Sequence, residues 1–188
     1  PFTPSLTAKI PLSKPLLYEE MGHVGSFLLS QFGSLNTDFQ KWTGFNFETD
    51  ILPFLDKDFV LAVEDAGGVL PAVSVWMDAS APGAKEKAKA VFEKLDTQVE
   101  SWVTLGNIAL ASHNKDQQGE PVFSLSKLPP FQTGTKVTIF PDRIDQKIAR
   151  VPLLQLITEP FEISYGMTAE NILFFSTFPN FEKSFGEK

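Results

Sequence analysis

The sequence predicts an α+β fold in which helices pack on a predominantly antiparallel sheet. Apolar and polar residues alternate over 59–63 and 69–77, as they do in half-buried strands. Over 22–40 and 81–102 the apolar residues recur at steps of three and four, which is typical of amphipathic helices. The chain has 188 residues, 43% of them hydrophobic, which is enough for one substantial core. We therefore expect residues 1–188 to form a single α+β domain.

The first 58 residues predict an extended lead-in followed by helix and a compact connection. Residues 1–18 contain four prolines, which disfavour regular helix and predict an extended or edge-strand segment. Residues 22–40 predict one helix with an aromatic apolar face. Residues 42–55 predict a connection in which Thr49 or Asp50 caps a short helical turn.

The middle of the chain predicts a hairpin followed by a long helix. The strands over 59–63 and 69–77 flank a Gly-Gly turn at 65–68. Ser80 and Pro82 suit the start of the helix over 81–102. One side of this helix is charged, and the apolar stripe on its other side comprises Ala84, Ala88, Val91, Leu95, Val99 and Trp102.

The remaining elements are predicted to be short. Runs at 103–112, 121–126 and 135–140 predict strands separated by polar turns. A helical pattern begins near Asp142 and is interrupted at Pro152. Alternation from Phe161 to Tyr165, a turn at 168–171 and the run 172–178 predict a closing hairpin.

Two parts of the chain superpose without a gap. Residues 59–78 laid on 161–180 match strand to strand and turn to turn, with Ser74 on Ser176, and a Phe-Glu-Lys sequence follows each part. This match suggests an internal strand–strand–helix repeat as a hypothesis. If the two units are related, we expect them to share one sheet.

Composition argues against several classes of function. The net charge of −7 provides no basic surface for phosphate backbones, so we expect no nucleic-acid partner. The absence of cysteine excludes disulfides and thiol chemistry. No run of 18 apolar residues predicts a membrane-spanning helix. The chain begins at Pro1, which is compatible with removal of an N-terminal signal or anchor.

Residues 44–63, Gly-Phe-Asn-Phe-Glu-Thr-Asp-Ile-Leu-Pro-Phe-Leu-Asp-Lys-Asp-Phe-Val-Leu-Ala-Val, carry a family resemblance. The segment 42–63 resembles the signature of a bacterial family, domain of unknown function number 3352, and the resemblance extends loosely to about residue 102. Three departures are Phe54, Asp56 and Asp58, where Trp, Gly and Glu are common. The resemblance implies an α+β fold and an extracytoplasmic, exported or membrane-anchored protein, and it carries over no active-site residue.

Candidate catalytic and metal-ligating residues are few. Asp56 and Asp58 present carboxylates at i and i+2, as in part of a Ca²⁺ site, but the remaining ligands of a calcium loop are missing, which favours a turn-and-cap role. His113 lies near Asp116 but lacks a nucleophile motif, and His23 lies near a helix start. We therefore predict no catalytic residue, no metal ligand and no cofactor.

Phenylalanine is unusually abundant, at 18 residues. Most of these side chains are expected in the core. Phe174 and Phe175 are consecutive in a predicted strand, so their side chains point to opposite faces, and a two-layer domain buries only one face. This geometry suggests a contact surface on the C-terminal hairpin comprising Phe174, Phe175, Phe178 and Phe181.

These observations leave three hypotheses from different classes. The first is a non-catalytic interaction or scaffolding domain of a bacterial surface or envelope protein, which binds a protein partner or assembles with itself. The second is a carrier of an apolar ligand held between sheet and helices. The third is a hydrolase that uses carboxylates or His113.

Overall fold

The computed structural model describes residues 6, 9–12, 15–31, 35–67, 71–113, 123–130, 134–141, 161–179 and 181–185. Within these ranges the chain forms a seven-stranded sheet in which all neighbouring strands are antiparallel. Helices pack on the sheet, so the predicted α+β fold is confirmed. The helix predicted from Asp142 lies outside the described residues.

The strands follow the predicted alternation closely. Their order across the sheet is β1-β2-β3-β7-β6-β5-β4. The Pro-rich lead-in ends in an edge strand, as predicted. The strands are β1 (Pro15–Met21), β2 (Phe59–Glu64), β3 (Ala72–Asp78), β4 (Phe123–Lys127), β5 (Gly134–Pro141), β6 (Phe161–Met167) and β7 (Ile172–Ser176).

The helices differ from prediction in two places. The helix expected over 22–40 is two helices, α1 (Val24–Gln31) and α2 (Leu35–Thr43). The sequence between them includes Gly33 and Ser34, which are poor residues for a helix interior. A π-helical turn (Phe47–Ile51) and the short α3 (Leu52–Leu55) complete the first helical group. Asn46 caps this π-helical turn by accepting from the Thr49 N–H at 3.1 Å, whereas Thr49 or Asp50 was expected to cap it.

The last helix, α4 (Ala84–His113), is 30 residues long. The strand predicted over 103–112 is therefore wrong, because these residues continue the helix. A short apolar run does not by itself distinguish a strand from a buried helix segment. Here Val99, Val103 and Gly106 keep the helical period on the side of α4 that faces the sheet.

Both faces of the central strands are covered. On the face that we call the helix face, Met77, Leu173 and Val75 pack with residues of α1–α4. On the opposite face, called the terminal face, Trp76 and Phe174 pack with segments from the two ends of the chain. Those segments supply Leu6, Ile10, Leu12, Phe178, Phe181 and Phe185.

The strand registers support the internal repeat. Ala62 pairs with Ser74 in β2–β3, and Ser164 pairs with Ser176 in β6–β7. Each residue of the second pair lies 102 positions after its counterpart in the first pair. The same offset superposes the two sequences. Ser74 also pairs with Ser176 where the two hairpins meet at the centre of the sheet. The units differ after the hairpin, since α4 follows β3 whereas the 3-10 turn Phe181–Phe185 follows β7.

Candidate interaction surface

The predicted aromatic contact surface is largely core. Phe174 and Phe181 are 0% and 1% exposed, and the centroids of their rings are 5.1 Å apart. Trp76 lies 5.7 Å from Phe174 and 5.6 Å from Phe181 between ring centroids. The prediction that these two residues form a contact surface is therefore wrong. Segments from both chain ends cover the terminal face of the sheet. Both faces of the central strands are therefore buried, one under helices and one under these segments.

The other two predicted contact residues are half-buried. Phe175 lies on the helix face, where its ring stacks on Tyr165 at 5.9 Å and contacts Phe92 at 6.4 Å. Phe178 packs against the cluster on the terminal face. The four phenylalanines are thus divided between two sides of the sheet, and the structure does not bring them together as one exposed surface.

Three described carboxylates hold caps, turns and the chain preceding β1. Asp56 accepts hydrogen bonds from the N–H of Ser26 at 2.8 Å and from the Ser26 hydroxyl, so it caps the first turn of α1. Asp65 accepts from the N–H of Gly67 at 2.9 Å in the β2–β3 turn. Glu20 accepts from the Leu6 N–H and the Tyr18 hydroxyl. The capping role expected for Asp56 is therefore confirmed.

The two histidines lie next to helix ends. His23 is exposed and has a positive φ of 59° just before α1, and His113 is the last residue of α4. Among the described residues, no group of three acidic or histidine side chains lies close enough to hold a metal ion. No helix in the same part of the chain is long and apolar enough to cross a membrane.

A polar network joins α4 to β4 and β6. The Tyr165 hydroxyl donates to Asp96 at 2.6 Å, and Lys127 Nζ lies 3.5 Å from Asp96 and 3.0 Å from Glu100. Burial, and then the hydrogen bond to Asp96, raises the pKa of Tyr165 well above its ordinary value. For Lys127, burial opposes the charge, but the hydrogen bond to Glu100 and the two carboxylates outweigh it and raise the pKa. The raised pKa values keep Lys127 charged and Tyr165 neutral at neutral pH, and the contacts attach α4 to the sheet.

Asn107 covers part of the β4 edge. Its side-chain NH₂ donates to the Leu125 carbonyl at 2.9 Å, and its side-chain oxygen accepts from the Leu125 N–H at 2.8 Å. An amide side chain therefore occupies the position that a neighbouring strand would take. Gly106 allows the close approach, because a Cβ there would collide with Leu125 Cδ1. This edge of the sheet is thus closed at Leu125 by the protein's own helix.

The β1 edge is protected differently. Leu16 and Leu17 are exposed on this outermost strand. The pairing with β2 shifts register between Pro15 and Leu17, and Pro15 has no N–H to offer a new strand. A proline together with an irregular register discourages strand addition.

The second half of α4 carries a group of exposed large apolar side chains. Trp102, Leu105 and Ile108 are 40%, 63% and 64% exposed. We call these three residues the α4 patch. Residues 101–113 contain no lysine, arginine, aspartate or glutamate, so no charged side chain of this helix segment interrupts it. Sequence reasoning missed the patch because it assigned Trp102 to the core stripe and 103–112 to a strand.

The fold and this surface define a class of protein: an α+β domain with two antiparallel hairpins in one sheet and exposed apolar side chains in the second half of its long helix. Comparison with models of protein families, with curated proteins and with solved structures gave no match for this chain. The resemblance of residues 42–63 to domain of unknown function number 3352 therefore stays a prediction.

Proposed function

We propose that this chain is a non-catalytic interaction or scaffolding domain of an exported bacterial envelope protein, and that the α4 patch is its contact surface. The observation that carries the proposal is the exposure of Trp102, Leu105 and Ile108 on one uncharged helix segment. Tryptophan is enriched among the residues that dominate protein–protein binding, and clustered exposed apolar side chains mark interaction sites. The extracytoplasmic location rests on the family resemblance alone.

The polar groups support the same proposal. The described groups with shifted pKa values are Asp50, Lys127 and Tyr165. Burial alone would raise the pKa of Asp50, but hydrogen bonds from Asn46 and Thr49 together with Lys94 lower it. Each of the three groups is held by partners that join one element to another. Catalytic sites instead use such shifts to prepare a group for proton transfer or attack.

Site-specific photo-crosslinking tests the proposal. A photoreactive amino acid replaces Leu105 in the α4 patch or, as the matched control, the exposed Lys89 on the charged side of the same helix. In the cells that produce the protein, we expect a discrete adduct of defined mass from position 105 and none from position 89. Equal adducts from both positions, or none from position 105, would contradict the proposal.

A further inference from the structure

The two hairpins are related by an approximate two-fold axis at the centre of the sheet, where β3 pairs antiparallel with β7. The residues of β6–β7 lie 102 positions after their counterparts in β2–β3, so the cross-strand pair Tyr165–Phe175 is the counterpart of the pair Val63–Val73. Because side chains alternate along a strand, Val73 lies on the helix face together with Val75. The axis is perpendicular to the sheet, so both pairs lie on this face.

α4 packs on one of these two pairs. The ring centroid of Phe92 in α4 lies 6.0 Å from that of Tyr165 and 6.4 Å from that of Phe175, and Tyr165 is 3% exposed. In the counterpart pair, Val73 is 38% exposed and Val63 is half-buried. The two related positions on the helix face therefore differ in how far they are covered.

The exposed pair continues into the neighbouring strand. Leu17 of β1 pairs with Val63 and is 46% exposed. We call Leu17, Val63 and Val73 the Val73 row. It extends over three adjacent strands, and clustered apolar side chains that remain exposed are typical of an interaction site. The row is separate from the α4 patch, since all its residues lie in strands.

The path of the chain explains why the row stays exposed. After β3 the chain enters α4, which packs on the helix face. After β7 it crosses to the terminal face instead, where Phe178, Phe181 and Phe185 pack. The described segment after β7 therefore provides no counterpart of α4 on the helix face.

We infer that the Val73 row is the docking site of an amphipathic helix from a protein partner. The helix takes the position that the two-fold axis relates to the position of α4. The related half of the sheet supports a helix as the occupant, because the same strand register packs against one there, with Phe92 on Tyr165 and Phe175. An apolar helix face laid on an apolar surface is a common mode of recognition. The inference goes beyond the proposed function, because it assigns a second contact surface.

The row also specifies the side chains of the helix. Val63 and Val73 are smaller than their aromatic counterparts, so the helix fills the same space with large apolar side chains. Glu19 is exposed on the same face of β1 as Leu17, and the chain carries a net charge of −7. Lysine or arginine on the flanks of the helix is therefore attracted, whereas acidic residues are repelled.

A designed peptide tests the inference on the full chain. It has about 18 residues, with leucine on one helical face and lysine on the other, and a scrambled peptide of the same composition is the control. The row is small, so we expect a dissociation constant between about 10 μM and about 1 mM for the helical peptide and no saturable binding of the scrambled one. Fluorescence anisotropy of the labelled peptides measures both. Equal affinities, or no binding up to about 1 mM, would overturn the inference.

Substitutions in the row test whether its apolar side chains bind the peptide. Leu17→Ser combined with Val73→Thr should weaken binding by about tenfold or more, because both positions lose apolar contact area. Phe27→Ser is the matched control, since it removes an exposed apolar side chain of α1 outside the row and should bind as the unmodified chain does. Circular dichroism establishes that both proteins fold. A folded double variant with unchanged affinity would contradict the inference.

Nuclear magnetic resonance locates the site on the unmodified chain. The helical peptide should shift the amide signals of Val63 and Val73 and leave those of residues 102–108 unchanged. Shifts confined to residues 102–108 would place the peptide on the α4 patch and overturn the inference. If the signals of Val63 and Val73 shift with protein concentration in the absence of peptide, a second copy occupies the row and the inference is also wrong.

Discussion

Consecutive phenylalanines show how a single position decides between two environments. Phe174 points to the terminal face and is completely buried beside Trp76, whereas Phe175 points to the helix face and is half-buried between Phe92 and Tyr165. The alternation of side chains along a strand accounts for the division. The two residues therefore stabilise different layers of the protein.

We expect Phe174→Ala to lower the free energy of unfolding by about 3–5 kcal/mol, because it leaves a cavity in a fully buried aromatic cluster. Phe175→Ala should cost less, since part of that ring already contacts solvent. Chemical denaturation monitored by circular dichroism measures both. Phe27→Ala is the control at a 61% exposed position, with an expected change within about 0.5 kcal/mol. A larger loss for Phe175→Ala than for Phe174→Ala would contradict the assignment of the faces.

The raised pKa of Tyr165 predicts that the folded protein loses stability in alkaline solution. Its pKa is raised in the folded state, so above the unfolded-state pKa of about 10 the unfolded chain releases a proton that the folded chain keeps. The free energy of unfolding should then fall with rising pH, by up to about 1.4 kcal/mol per pH unit for one group. Lys127 acts in the same direction because its folded-state pKa is also raised.

Tyr165→Phe isolates the tyrosine contribution. Denaturation midpoints measured between about pH 8 and pH 11 should decline less steeply in this variant than in the unmodified chain. An identical slope would show that Tyr165 does not keep its proton in the folded state.

At the scale of elements, the position of α4 depends on contacts with β4 and β6. Asn107 binds both backbone groups of Leu125, and Lys127 reaches Glu100 and the carboxylate of Asp96. These contacts fix the second half of the helix along the sheet edge. They also leave the opposite flank of the helix, with Leu105, toward solvent.

We expect Asn107→Ala to destabilise the protein by about 1–3 kcal/mol, because the N–H and C=O of Leu125 lose their partners. Exchange of the Leu125 amide hydrogen, measured by NMR, should accelerate relative to that of the unmodified chain. Asn107→Asp is the informative control, since it keeps an acceptor for the Leu125 N–H and should protect that amide better than alanine does. Equal exchange in the three proteins would show that Asn107 does not close this edge.

At the scale of the whole molecule, the sheet joins two hairpins related by an offset of 102 residues. They meet where β3 pairs with β7, with Ser74 opposite Ser176 and Trp76 opposite Phe174. The terminal-face cluster combines residues from both hairpins and from both chain ends. Neither hairpin buries its apolar face without the other.

This sharing predicts cooperative unfolding. Tryptophan fluorescence and far-ultraviolet circular dichroism should give the same denaturation midpoint, because one sheet and one shared cluster hold both halves. Two separate midpoints would mean that the two hairpins unfold independently.

Much of the local structure was predictable from residue patterns. Alternation identified the two hairpins, since a half-buried strand repeats every two residues. The apolar stripe from Ala84 identified α4 and nearly its start, because a helix repeats every 3.6 residues. The superposition of residues 59–78 on 161–180 has an offset of 102 positions, and the strand pairing of the two hairpins shows the same offset. Each of these signals lies within a short stretch of chain, where neighbouring residues alone define the pattern.

The sequence by itself determined the fold class, the central hairpins and the absence of cysteine chemistry. Only the tertiary structure decided that Phe174 and Phe181 are core, that α4 continues to His113 and that Trp102, Leu105 and Ile108 are exposed. The physical reason is that periodicity identifies which side of an element is apolar but not what covers it. Leu6 and Phe181 cover Trp76 from sequence distances of 70 and 105 residues. Burial therefore depends on contacts between distant parts of the chain, which local patterns do not contain.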